Sequence, residues 1–108
     1  MNWLKNLLNA DEKQAPTWLD NALVLDVRSE AEFSMLHVNG ALNAPLAVFA
    51  SDYMQMAPDK SRQIIVYCAS GARSGQAAQF LKSQGYSSVI NGISARQVAK
   101  KLNRQVVC

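Results

Sequence analysis

Short apolar runs alternate with segments of helical spacing along this chain, and this alternation limits its fold more than any other feature. Runs typical of strands buried on both faces of a sheet lie at Ala22–Val27, Ile64–Tyr67 and Ser88–Ile90, with a shorter extended piece at Ala41–Leu46. Segments of helical spacing follow them at Ser29 to about His37, Leu46–Met56, Gln76–Ser83 and Ser94–Leu102. The pattern predicts an α/β fold: a small, mainly parallel sheet flanked by helices on both faces.

Local signals set the ends of the predicted helices. Ser29 is followed three residues later by Glu32, which is the pattern of a capping box that begins a helix. Gly40 is expected to end that helix, and Gly85 to cap the end of the third one. Parallel sheets bind ligands at the carboxyl ends of their strands, so the residues after Val27 and Tyr67 are the first candidates for a site.

The length of 108 residues suits one domain. We expect residues 1–15 to form an N-terminal helix and linker, and residues 16–108 to form the domain. The helix is indicated by apolar side chains on one side, at Trp3, Leu4, Leu7 and Leu8. We expect it to pack on the domain; docking to a partner or to a membrane surface is the alternative.

Charge and cysteine content exclude several classes of protein. The net charge of +3 comes from scattered basic residues, apart from Lys100, Lys101 and Arg104, so no nucleic-acid partner is expected. No apolar run approaches the roughly 20 residues of a membrane span. Only two cysteines are present, fewer than a secreted domain of this size usually carries. The N-terminus lacks the apolar core of a signal peptide, although a precursor whose signal peptide had been removed would have the same sequence. A reducing, cytoplasmic compartment is predicted.

The residues after the strongest predicted strand carry the chemistry. Cys68 is followed by the small residues Ala69, Ser70, Gly71 and Ala72, then by Arg73 and Ser74. Such a loop can curl so that its N–H groups converge on one point and, with the start of the next helix, form an anion-binding nest. A thiol at the centre has a lowered pKa, which predicts an exposed thiolate facing a pocket for a second anion. The alternative is a small, inert, buried cysteine.

Three motifs in this order resemble single-domain rhodaneses, the thiosulfate or persulfide sulfurtransferases, including their phage-shock and glycerol-operon types. The first is Leu25-Asp26-Val27-Arg28 with Glu30, Glu32 and Phe33. The second runs from His37 to Pro45 (HVNGALNAP), and the third from Ile65 to Ser74 (IVYCASGARS). Together they lie within residues 22–92, most of the chain.

The resemblance implies that Cys68 attacks a sulfane sulfur, becomes a persulfide and passes the outer sulfur to cyanide or a thiol. The donor is expected to be a small anion such as thiosulfate, and a protein thiol, thioredoxin-like, is a further candidate for donor or acceptor. No metal and no organic cofactor is required. Substrate-binding residues are expected in the loop and beside it, at Ala69, Ser70, Gly71, Ala72, Arg73, Ser74 and Arg28.

Other residues receive structural roles. Asp26 is expected to accept hydrogen bonds at the end of its strand, and Arg28 either to recruit an anion or to form a surface ion pair with Glu30 or Glu32. His37, the only histidine, is expected to pair with Glu32 rather than to act as a base. Gly92-Ile93 departs from the Gly-Gly common in the family, which leaves the shape of the pocket open, and Cys108 is expected to be a spectator.

Three alternative functions are distinguishable. Cysteine phosphatases on the same architecture have five residues between cysteine and arginine, whereas four separate Cys68 from Arg73 here, which favours a nest for one sulfur atom. Non-catalytic rhodanese-like binding modules usually lack the cysteine that this chain retains. A redox protein that uses Cys68 and Cys108 lacks the Cys-x-x-Cys spacing.

Overall fold

The computed structural model describes residues 16–108, so the predicted N-terminal helix lies outside the described residues. Its main sheet has four parallel strands in the order β3-β1-β4-β5. They are β1 (Leu23–Asp26), β3 (Leu42–Asn43), β4 (Ile64–Cys68) and β5 (Val89–Ser94). Every residue of the two central strands, β1 and β4, is buried, which explains their continuous apolar sequence. The predicted parallel α/β sheet is confirmed.

Helices cover both faces of this sheet, as predicted. They are α1 (Glu30–Met35), a 3₁₀ turn (Leu46–Val48) leading into α2 (Phe49–Met56), α3 (Ala72–Ser83) and α4 (Ala95–Leu102). Alternate side chains of the strands divide the core into two clusters. One contains residues of α2 and α3 together with Cys68, and the other contains Tyr67 and the buried side chains of α4. The described residues contain no helix with the length and apolar character required to cross a bilayer.

The capping box predicted at the start of α1 is present. The Ser29 hydroxyl accepts a hydrogen bond from the Glu32 N–H at 3.2 Å, and the Glu32 carboxylate accepts one from the Ser29 N–H at 3.0 Å. The helix α1 ends at Met35, slightly before the predicted end at about His37, so Gly40 is not the residue that ends it. The chain is extended from Leu36 onward because β2 (His37–Val38) pairs antiparallel with β6 (Val106–Val107). Neither of these two-residue strands was predicted.

A bulge in β5 places its last residues beside the end of β4. Asn91 pairs with Val66 and Ile93 with Tyr67, so Gly92 is the extra residue. A side chain could not fit at Gly92, because a Cβ there would lie 2.5 Å from Val98 Cγ2. Ile93 has a φ of 77°, a left-handed conformation that costs a β-branched residue free energy. With this bulge, β5 continues to Ser94, beyond the end of the predicted strand Ser88–Ile90.

Candidate active site

Cys68 is the last residue of the central strand β4, and the chain turns from it directly into a helix. Only Ala69, Ser70 and Gly71 lie between this strand and α3, which begins at Ala72 rather than at the predicted Gln76. Gly71 is the N-cap and has a φ of 101°, a conformation that glycine adopts without steric cost. This tight turn brings backbone N–H groups and the start of α3 to the cysteine.

The Cys68 sulfur lies within a set of hydrogen-bond donors. The Gly71 N–H points at Sγ from 3.0 Å, and the Ser74 hydroxyl oxygen lies 3.4 Å from it. Burial is the largest single influence on the thiol and opposes its ionisation. The Ser74 hydroxyl and the backbone N–H groups of Ser74, Gly71 and Ser70 outweigh it together, and they lower the pKa of Cys68 to about 7.

The thiol is much less exposed than the sequence predicted. Only 2% of the residue is accessible, because Cys68 belongs to the core cluster that α2 and α3 cover. The residue still lines a surface cavity together with Arg28, Leu36, Ala69, Ser94, Ala95 and Arg96. The prediction of an exposed thiol is therefore wrong. This cavity is the route by which a small reagent would approach the cysteine.

Arg73 was expected to bind an anion beside Cys68, but its guanidinium is held by Glu32. Nη1 lies 2.8 Å from Oε1 and Nη2 lies 3.1 Å from Oε2 of that carboxylate. The hydrogen bonds from Arg73, followed by that from the Ser29 N–H, lower the pKa of Glu32 to about 2. Arg73 lines a neighbouring, mostly apolar cavity with Val27, Ser29, Pro45, Leu46 and Ala47 rather than the cavity of Cys68.

The predicted pairing of His37 with Glu32 was wrong. The Nδ1 atom of His37 lies 2.8 Å from the carbonyl oxygen of Phe33, and the two rings are stacked with centroids 3.7 Å apart. The reason is that α1 ends early, so His37 lies in β2 instead of at the end of a helix. A structural place for the only histidine agrees with the sequence interpretation, although its partner differs.

Arg28 forms a buried pair with Asp26 instead of the surface ion pair that was one of its two predicted roles. Its Nε lies 2.9 Å from Oδ1 and its Nη2 lies 2.7 Å from Oδ2 of Asp26, and Nη2 also donates to the Leu36 carbonyl at 2.6 Å. The hydrogen bond with Asp26 raises the pKa of Arg28 further. Asp26 is fully buried and accepts the Arg28 N–H as well, so it acts as the structural acceptor that the sequence indicated.

Two residues near the cysteine were not predicted. Asn91 in β5 contacts both the loop and Ser74 through its side-chain amide. Arg96, in the first turn of α4, lines the cavity of Cys68, and its guanidinium makes no hydrogen bond or ion pair with the rest of residues 16–108. The same sheet-edge rule that selected Cys68 would have selected both, had β5 been predicted to extend beyond Ile90.

The remaining predicted site residues differ in their surroundings. Ser74 is completely buried beneath the loop, whereas Ala69, Ser70 and Ala72 are exposed around it. Within residues 16–108, no three His, Cys, Asp or Glu side chains cluster closely enough to hold a metal ion.

Comparisons with known proteins identify relatives of this arrangement. Thiosulfate sulfurtransferase PspE of Escherichia coli is 36% identical over 75 residues, which cover 69% of this chain and 72% of that protein. The thiosulfate:glutathione sulfurtransferase of Saccharomyces cerevisiae is 35% identical over 78 residues, 62% of this chain and just over half (56%) of that protein. A solved structure described as rhodanese with anions from E. coli superposes with a TM-score of 0.72 at 32% identity, over 80% of this chain and 96% of that one. Residues 1–95 match the profile of the rhodanese-like domain. The chain therefore belongs to the rhodanese-like domain family.

Proposed function

We propose that this chain is a sulfurtransferase in which Cys68 carries the transferred sulfur as a persulfide. The observation that carries the proposal is the set of donors around one sulfur atom: the Gly71 N–H at 3.0 Å and Ser74 Oγ at 3.4 Å, with the start of α3 beside them. These groups favour a thiolate, which is the nucleophilic form of cysteine. They are also suited to the negative charge of a persulfide.

The reaction follows from this arrangement in two steps. The Cys68 thiolate attacks the outer sulfur of thiosulfate, the S–S bond of thiosulfate breaks, and sulfite leaves with the electron pair. Cyanide or a thiolate acceptor then attacks the outer sulfur of the persulfide, and the Cys68 thiolate is regenerated. No electrons are gained or lost overall, so the cycle needs no redox cofactor.

The donor is proposed to be a small sulfur-containing anion such as thiosulfate. The names of the bacterial and yeast relatives both include thiosulfate. Arg28 and Arg96 both line the cavity of Cys68. Its net positive charge comes from Arg96, because Arg28 is paired with Asp26 and Arg73 with Glu32. We assign Arg96 together with Arg28 to the approach of the anion, and the loop residues Ala69, Ser70, Gly71, Ala72 and Ser74 to the transferred sulfur.

We further propose a thiol as the sulfur acceptor and a reducing compartment for the protein. The yeast relative's name includes glutathione, a thiol, and this supports a thiol acceptor, with a thioredoxin-like protein as the larger candidate. Both cysteines have free thiols, and Cys108 is exposed, which suits a reducing cytoplasmic compartment. We take residues 16–108 as the catalytic domain.

Intact-mass measurement tests the proposal directly. The protein is treated with thiosulfate, freed of excess reagent and weighed, alongside Cys68→Ser and Cys108→Ser variants. We expect a gain of one sulfur atom in the parent and in Cys108→Ser, its removal by cyanide as thiocyanate, and no gain in Cys68→Ser. An adduct that persists in Cys68→Ser, or none at any thiosulfate concentration, would contradict the proposal and favour a binding module.

A phosphatase assay separates the second enzymatic candidate. With four residues between Cys68 and Arg73, the nest is expected to be small for a tetrahedral phosphate. We expect turnover of thiosulfate with cyanide and none of p-nitrophenyl phosphate. The reverse pattern of activity would establish the phosphatase instead.

A further inference from the structure

The side chain of Asn91 joins strand β5 to the turn that holds the thiol. Its Nδ2 donates to the Gly71 carbonyl at 3.1 Å, and its Oδ1 accepts from the Ile93 N–H at 3.0 Å. A carbonyl can only accept and an N–H can only donate, so these two contacts fix which end of the amide is oxygen. The Ser74 hydroxyl oxygen lies 2.6 Å from that oxygen, Oδ1.

The Ser74 hydroxyl has one hydrogen and two neighbours that can accept it. Because Asn91 Oδ1 is an acceptor only, the 2.6 Å contact requires Ser74 to donate its hydrogen there. That hydrogen is then not available to Cys68 Sγ, which lies 3.4 Å from Ser74 Oγ and is the more distant of its two acceptors. In this arrangement the serine oxygen can accept a hydrogen bond from the S–H of a neutral thiol. A thiolate would instead face the lone pairs of the serine oxygen, which is unfavourable.

We infer that Asn91 is a positioning residue that controls the ionisation of Cys68 by competing with its sulfur for the Ser74 hydrogen. When Cys68 is neutral, Ser74 donates to Asn91. When Cys68 loses its proton to water, the Ser74 hydroxyl turns its hydrogen toward the sulfur and keeps it, and Asn91 Oδ1 retains only the Ile93 N–H. Asn91 thus opposes the thiolate through Ser74, while its bond to Gly71 holds the loop that stabilises the thiolate.

Charged groups around the sulfur do not provide this competition. Asp26 and Arg28 neutralise each other beside β1, as do Glu32 of α1 and Arg73 of α3. Arg96 of α4 favours the thiolate whatever Ser74 does, and strand β5 contributes no ionisable side chain. Tyr67 precedes Cys68 on β4, and burial raises its pKa far above neutrality, so it stays uncharged. The titration of Cys68 thus reports on Ser74 and Asn91 above a fixed electrostatic background.

A double-mutant cycle tests the inference. Asn91→Leu, Ser74→Ala and the double variant are made in a Cys108→Ser background, so that one cysteine reacts. The rate of alkylation by iodoacetamide is followed against pH, and its midpoint gives the pKa of Cys68 in each protein. Asn91→Ala repeats the cycle with a smaller side chain, and circular dichroism checks that each variant retains a cooperative unfolding transition.

The expected result is a coupling of definite sign. In the Ser74→Ala background, loss of Asn91 acts only through Gly71 and leaves the pKa unchanged or raises it. With Ser74 present, the same loss also releases the hydroxyl to the sulfur, which stabilises the thiolate. The shift in the pKa of Cys68 should therefore be more negative, by about half a unit to one unit, than the shift in the Ser74→Ala background. Equal shifts in both backgrounds, or a coupling of the opposite sign, would overturn the inference.

A matched control and a separate readout complete the design. Asn39→Ala should leave the midpoint unchanged, because the Asn39 side chain lines a different cavity and makes no hydrogen bond with the other described residues. The inference rests on the proposed function for its purpose, since the thiolate is what attacks the donor. Alkylation needs no sulfur donor, so a failure of sulfur transfer would leave the coupling measurable.

Discussion

Arg73 and Glu32 face each other in a two-pronged ion pair, with N–O distances of 2.8 and 3.1 Å between residues 41 positions apart. The pair joins the first turn of α1 to the start of α3, where the cysteine loop ends. Each side chain is 37% exposed, so the pair is partly solvated and adds little to stability. The larger effect of the pair is electrostatic, because the Glu32 carboxylate neutralises the positive charge of Arg73 near the Cys68 site.

Glu32→Gln should therefore bind thiosulfate more tightly. Glutamine retains the capping box of α1 but removes the negative charge, so Arg73 gains net positive charge. We expect the KM for thiosulfate to fall roughly twofold to fivefold with kcat little changed, consistent with a partly exposed pair. Steady-state kinetics would check this, with Glu30→Gln on the same helix as the control. A higher KM in Glu32→Gln than in the control would be contrary to this expectation.

The pH dependence of turnover should report the Cys68 thiolate. The pKa of the thiol is lowered to about 7, so deprotonation, and with it reactivity, rises as the pH increases through that value. We expect kcat/KM for thiosulfate to increase about tenfold per pH unit below the midpoint and to level off above it. Profiles measured in Cys108→Ser avoid interference from the second thiol. An inflection near pH 9, typical of an unassisted thiol, would disagree with the donors described.

Arg96→Ala should weaken the capture of the donor. Of the two arginines that line the Cys68 cavity, Arg96 is the one whose guanidinium has no hydrogen-bond or ion-pair partner among residues 16–108. We expect a threefold to tenfold rise in the KM for thiosulfate with kcat retained, the size of one exposed charge-assisted contact. Lys100→Ala, on the same helix and with an exposed side chain, is the control. If both variants behave alike, the effect would be one of net charge rather than of position.

Ile93→Gly should stabilise the protein, although glycine normally weakens a strand. Ile93 has a φ of 77° and is 39% exposed, so glycine would relieve the backbone strain and lose only part of the packing that a fully buried isoleucine provides. Relief of about 1–2 kcal/mol of strain should exceed the added entropy of glycine in the unfolded chain, about 0.5–1 kcal/mol. Chemical denaturation would measure this. Val89→Gly in the same strand should destabilise; a similar loss in both variants would argue against strain at Ile93.

The sequence was sufficient for the sheet because its central strands are buried on both faces. Leu23–Asp26 and Ile64–Cys68 read as apolar runs for that reason, and the Ser29–Glu32 capping box is a signal contained within four residues. The strands of β2 and β6 were missed because two residues have no periodicity, and their pairing joins positions about 70 residues apart.

The site was predictable to the extent that its features are local. The position of Cys68 at a strand end and the small residues after it lie within one segment of sequence. Burial of the thiol and the pairing of Arg73 with Glu32 depend on contacts from distant parts of the chain, and no local pattern encodes them. Asn91 was missed because the apolar run of β5 stops at Ile90, whereas the strand continues through Asn91 and the bulge at Gly92.

The sheet also separates two kinds of tolerance to mutation. Cys68 shares its cluster with α2 and α3, whereas the buried side chains of α4, such as Leu102, pack on the opposite face. Substitutions on the two faces involve different neighbours, so their effects on unfolding free energy should add. Apart from Ala95 and Arg96, which line the Cys68 cavity, the α4 face can accordingly be redesigned as a stabilising layer, while changes among the neighbours of Cys68 would alter folding and sulfur chemistry together.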